Sequence, residues 1–169
     1  MTDGLLEPAS PVLVLGVGNS LLSDDGAGLV LLEQLRAAGG WPEFVEWVDG
    51  GTQGIALLGV LSGRRAVLIL DAVELGARPG SVRVLGMDQL RRFQGRASTT
   101  AHEGNALQLL ATAEFTGDLP EWVRLVGVEP ESIRTGIGLS PSVEAALPEA
   151  LERAREALDA ASRAYIGDA

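Results

Sequence analysis

The sequence predicts an α/β fold: a twisted, mostly parallel sheet with helices on both faces. Three observations carry that expectation. Val12–Val17 (VLVLGV) and Ala66–Leu70 are short, wholly apolar runs, the pattern of strands covered on both sides. Such runs alternate with stretches of helical periodicity, and no internal repeat or domain-sized linker interrupts them. A chain of 169 residues with 46% hydrophobic content also suits one compact domain with its own core.

The elements follow in order. The first strand, Val12–Val17, enters a turn-rich connection from Gly16 to Gly26. A helix is predicted from Ala27 to Ala38, apolar at Ala27, Leu31, Leu35 and Ala38 and stopped by Gly39-Gly40. The second strand, Val45–Val48, ends at Asp49-Gly50-Gly51-Thr52, and Gln53–Leu61 reads as a short helix. The third strand, Ala66–Leu70, ends at Asp71. Ser81–Leu85 is the fourth, after the Gly76–Gly80 turn; the stretch from Gly86 to Thr100 is ambiguous, with helical potential at Met87–Phe93. Thr100 and Glu103 fit a capping box, so a helix is expected from Thr100 to Glu114. Val123–Val128 is the fifth strand. The last helix, Ser142 to Ala164, has Val143, Leu147, Ala150, Leu151, Ala154, Leu158 and Ala161 on one face and charges opposite.

Composition narrows the function. The net charge of −10, from 23 acidic and 13 basic residues, disfavours nucleic acid, whose recognition needs cations to displace counterions. The absence of cysteine removes disulfides, thiolate metal sites and cysteine nucleophiles, and fits a reducing cytoplasm. Residues 1–11 read as a flexible tail ahead of a single domain, 12–169. The tail lacks a secretory pattern, and the chain lacks the roughly 18 consecutive apolar residues of a membrane span. The expectation is a cytoplasmic protein with neither membrane nor nucleic-acid partner.

Parallel sheets bind ligands at the carboxyl ends of their strands, which directs attention to the loops there. Gly16-Val17-Gly18 begins like a dinucleotide fingerprint, but Leu21 replaces the third glycine and Asp24 and Asp25 follow where a pyrophosphate would be repelled. One of these two acids is expected to cap the next helix, leaving the other for a ligand. Asp71 is either a turn former or a site residue, and Asp49 the same, with Gly50-Gly51 favouring the turn. His102 is the only histidine. In the first turn of a helix its imidazolium form is disfavoured, leaving a neutral ring able to bind metal. Asp25, Asp71 and His102 together suit a divalent ion such as nickel or zinc with positions left open. Ser20, Ser23, Ser98, Thr99 and Thr100 are possible nucleophiles; none lies in a GxSxG elbow, and a spatial triad with His102 stays open.

GVGNSLLSDDGAG, VDGGTQGIALLGVL, LILDAVELGARPGSV and STTAHEGNALQLL occur in this order, followed by FTGDLPEWVRLVGVEPESIRTGIGLSPSVEAALPEAL. Together they resemble the hydrogenase maturation endopeptidases over nearly all of Val12 to Leu158. The resemblance implies removal of a C-terminal peptide from the large-subunit precursor of a nickel–iron hydrogenase. It implies a three-layer αβα sandwich around a five-stranded mixed sheet, with Ser81–Leu85 antiparallel. It places the family's metal-binding and catalytic trio on Asp25, Asp71 and His102, and substrate recognition on Asp49, Gly50, Gly51 and Thr52. The metal is then nickel carried by the precursor, although another divalent ion could enter the empty site, and the protein is a monomer. The metal would activate water or only position the bond, or a carboxylate would act as general base. The rival readings are a nickel-delivery chaperone with the same ligands and a serine-type αβα hydrolase. Gly136–Ser142 supports either the substrate groove or the last helix.

Overall fold

A computed structural model describes residues 10–94 and 106–167 of the chain. The strands are β1 (Val12–Val17), β2 (Val45–Gly51), β3 (Ala66–Ala72), β4 (Val82–Gly86) and β5 (Trp122–Val128). The helices are α1 (Ala27–Ala37), α2 (Leu58–Leu61), α3 (Met87–Gln94), α4 (Ala106–Thr116) and α5 (Pro141–Gly167). Single 3-10 turns, Ser23–Gly26 and Gly54–Leu57, lead into α1 and α2. The stretch predicted as one helix from Gln53 is therefore split into two kinds of turn. β2 runs three residues past its predicted end and takes in Asp49, Gly50 and Gly51. The capping box at Thr100 and Glu103, the predicted site residue His102 and most of the N-terminal tail lie outside the described residues.

The strands form one sheet in the order β2-β1-β3-β5-β4. β1 pairs parallel with β2 and β3, β3 pairs parallel with β5, and β4 pairs antiparallel with β5. The reversal of β4 has a simple cause. The chain between β3 and β4 is too short to return to the starting end of the sheet, which a parallel connection of a dozen or more residues would require. β4 therefore descends from the carboxyl end and leaves a slot that β5 later fills.

Side-chain alternation divides the interior into two cores, one on each face. Val12, Val14, Leu68, Leu70, Val126 and Val128 pack against Leu31 and Leu35 of α1 and Val143, Ala150, Ala154 and Leu158 of α5. Leu13, Leu15, Val67, Ile69, Val123 and Leu125 point the other way, to Leu57, Leu61, Leu90, Leu109 and Leu110. Every residue of β1 is buried, as its unbroken apolar run predicts. Helix, sheet and helix thus make three layers. No helix among the described residues is long and apolar enough to cross a membrane.

Candidate active site at the carboxyl ends of the strands

Two glycines allow the acidic loop to fold against the sheet. Gly18 has φ +142°, and a Cβ there would lie 2.0 Å from the carbonyl oxygen of Asp25. Gly28, on α1, faces the strand ends so closely that a Cβ would lie 2.3 Å from the Leu70 oxygen and 2.4 Å from that of Val17. Only a bare backbone lets α1 start directly over β1 and β3. That brings the loop carrying Asp24 and Asp25 beside the end of β3, where Asp71 sits.

The adjacent acids Asp24 and Asp25 have different tasks, and neither is the expected helix cap. Neither the 3-10 turn nor α1 has a side-chain cap; their N-cap positions are Leu22 and Gly26. Asp24 instead reaches the loop between β5 and α5. It is fully buried and accepts hydrogen bonds from the backbone N–H groups of Glu131 (2.9 Å), Ser132 (3.1 Å) and Ser140 (2.6 Å) and from Ser140 Oγ (2.8 Å). Burial alone would raise its pKa, but these bonds together outweigh it and hold the carboxyl below its ordinary value. Ser140 Oγ also accepts from the Val143 N–H at 3.4 Å, so the chain from Asp24 to Ser140 braces the first turn of α5. The segment from Gly136 to Ser142 accordingly serves the start of the last helix and is tied to the acidic loop.

Asp25 accepts from the Asn19 N–H at 3.0 Å through Oδ2. Asp71 is buried, and the N–H of Ala106, at the start of α4, donates to its Oδ2 at 3.3 Å. Burial pushes the Asp71 carboxyl well above its ordinary range; hydrogen bonds from Ala106 and Ala72 oppose the shift, and the charge of Asp25 adds to it. Asp25 and Asp71 therefore sense each other's charge at the carboxyl end of the sheet. A buried carboxyl facing a second acid can hold a proton for acid–base chemistry or exchange it for a cation. The third predicted ligand, His102, has no described position, and the described residues alone contain no group of three metal-binding side chains.

The chain belongs to the hydrogenase maturation protease family. The family's model, described as "Hydrogenase maturation protease", matches residues 29–157. The Hydrogenase 2 maturation protease of Escherichia coli is 40% identical over 149 residues, 87% of this chain and 90% of the relative. The hydrogenase expression/formation protein HoxM of Azotobacter vinelandii is 36% identical over 151 residues, 89% of this chain and 73% of the relative. Among solved structures, the hydrogenase maturating endopeptidase HybD of E. coli superposes with a TM-score of 0.78 at 37% identity, covering 88% of this chain and 91% of its own. This maturation protease is thus a peptide hydrolase, and its mixed five-stranded sheet is that of its relatives.

Other candidates are placed by the fold of the protease, whereas Ser98, Thr99 and Thr100 lie outside the described residues. Asp49 Oδ1 accepts the Gly51 N–H at 3.0 Å, the local bond of a turn former, while the Gly51 oxygen accepts the Gly18 N–H at 3.0 Å. The segment Asp49 to Thr52 is therefore joined to the acidic loop at the same end of the sheet. Gly50 is buried, and a Cβ there would press to 2.8 Å from Leu57 and 2.9 Å from Leu15. Ser23 donates its hydroxyl to the Arg134 oxygen at 2.9 Å, an arrangement that braces a loop and does not present a nucleophile. Sequence reasoning missed Glu129, buried at the end of β5, whose Oε2 accepts the Leu75 N–H at 2.9 Å and anchors the β3–β4 connection. Its signal was an acid directly following an apolar strand, the pattern that singled out Asp71.

Proposed function

We propose that this protein is the endopeptidase that removes the C-terminal peptide from the nickel-loaded large-subunit precursor of a nickel–iron hydrogenase. The observation that carries the reading is membership of the maturation-protease family together with a buried Asp71 at the strand end beside the loop that bears Asp25. Two carboxyls that resist simultaneous ionisation have a ready use for a cation, which relieves their repulsion and leaves both charged. In this reading the cation is the precursor's nickel, held by Asp25 and Asp71 with His102 as the third ligand. The nickel is part of the substrate, and binding it sets the scissile segment over the acids. When water attacks the peptide carbonyl, a carboxylate oxygen of the pair that the cation leaves free accepts its proton. Asp49, Gly50, Gly51 and Thr52 line the approach on the β2 side. The protein acts as a cytoplasmic monomer, with its single protease domain spanning residues 12–169.

The test is incubation of the purified protein with nickel-loaded precursor, followed by mass spectrometry of the large subunit. Loss of the C-terminal peptide is expected with the wild type and not with His102→Ala, whose circular dichroism should match the wild type. A nickel-delivery chaperone would release no peptide. Full processing by His102→Ala would remove His102 from the site.

A further inference from the structure

Five large apolar side chains are exposed among the described residues: Leu21, Ile55, Phe115, Ile137 and Ile166. Their placement is uneven. Phe115 and Ile166 stand near the far ends of α4 and α5, remote from the acids. Leu21, Ile55 and Ile137 all lie in connections at the carboxyl end of the sheet, where Asp25 and Asp71 lie. Neither Leu21 nor Ile137 contributes to either core.

Leu21 and Ile137 are also held rigidly to each other's loops. Leu22 and Gly136 form an isolated parallel bridge. The Gly136 N–H donates to the Leu21 oxygen at 2.9 Å, and the Ser23 N–H donates to the Gly136 oxygen at 2.8 Å. Ser23 Oγ adds its bond to Arg134, and the buried Asp24 locks the same two loops from below. Ile137 is 90% exposed and flanked by Gly136 and Gly138, and Leu21 is 61% exposed. A tip so heavily cross-linked loses little freedom when it is covered, so its apolar surface is available for binding at low entropic cost. The fold gains nothing from leaving both side chains in water.

We infer that Leu21 and Ile137 form an apolar lip that receives an apolar side chain of the precursor beside its scissile segment, and so help to set substrate specificity. The inference rests on the proposed protease reading. The occupant follows from continuity: Leu21 lies in the same short loop as Asp25, which puts the lip beside the acids on which the substrate would be seated. An apolar residue fits, because both exposed side chains of the lip are aliphatic and offer no hydrogen-bonding group.

The experiment measures peptide release from purified nickel-loaded precursor by wild type, Leu21→Ser, Ile137→Ser, the double variant, Ile137→Leu and the remote control Phe115→Ser, with thermal unfolding of each. Losing one buried apolar contact is expected to raise KM about tenfold, and losing both about a hundredfold, with kcat changed by less than about twofold. Ile137→Leu and Phe115→Ser should match the wild type, and no variant should lose thermal stability. An unchanged KM in the double variant would overturn the lip while leaving the protease reading intact. A wild type that cleaves no precursor would overturn the protease reading, and the lip with it.

Discussion

Asp24 and Asp71 are both buried acids at the same end of the sheet, yet the protein treats them in opposite ways. Asp24 is surrounded by three backbone N–H groups and a hydroxyl, all within 3.1 Å, and its ionised form is favoured. Asp71 has longer contact with its donor on α4, at 3.3 Å, and lies near a like charge, so its ionised form is disfavoured. Burial opposes ionisation of both, but far more strongly at Asp71. Desolvation and the supply of donors together set the difference, which shows how one fold can tie one aspartate into a structural clamp and leave another with its charge poorly compensated. Asp24 spends its oxygens on loops that need holding. On the proposed reading, the partner that Asp71 lacks is the substrate's cation.

The largest expected effect separates the two by activity. Asp71→Asn should lower precursor cleavage about a thousandfold, since a neutral amide can neither take a proton nor hold a cation as a carboxylate does. Peptide release measured by mass spectrometry checks this, and activity near the wild type would end the distinction. Next comes Asp24→Ala, which leaves four donors without their acceptor and should cost about 3 kcal/mol or more in urea denaturation. A loss below about 1 kcal/mol would mean that water replaces the carboxylate and that the clamp is dispensable.

Stability against pH sharpens the contrast, because the two shifts have opposite signs. The folded-state pKa of Asp71 lies above its ordinary value of 3.8, so the folded protein holds an extra proton between the two values. Its contribution to stability is present below 3.8 and is lost as pH rises across that window. Asp71→Asn removes this loss and should be more stable than the metal-free wild type at neutral pH, the gain vanishing toward pH 4, as urea denaturation at the two pH values would show. For Asp24 the folded-state pKa lies below 3.8. Its contribution is present above 3.8 and disappears as pH falls through the folded value. The stability gap between wild type and Asp24→Asn should accordingly narrow in acid, whereas a gap that widens there would reverse the assignment. The smallest effect is that of Ser140→Ala, which deletes one hydroxyl donor to Asp24 and the brace on α5. It should cost about 1 kcal/mol at neutral pH and leave cleavage by a saturating precursor unchanged.

Much of this protein was legible in its sequence because the signals are local. Unbroken apolar runs such as Val12 to Leu15 and Ala66 to Leu70 suit strands of a sheet covered on both faces, so β1, β3 and the layers around them followed from them. Asp71 could be marked as a candidate because it ends such a run. The likeness of the ordered motifs to the maturation endopeptidases also supplied the antiparallel β4, whose direction periodicity alone leaves open. Tertiary structure decided how the acids are used. Asp24 and Asp25 are neighbours in sequence with equal claims to a helix cap, and what divides them is a loop more than a hundred residues away whose N–H groups close on one of them. The high pKa of Asp71 likewise depends on packing by distant strands and helices and on the charge of Asp25 at the same end of the sheet. Strand and helix formation reports on the chemistry of near neighbours, whereas desolvation and charge coupling depend on distance in space, which exists only once the chain has folded.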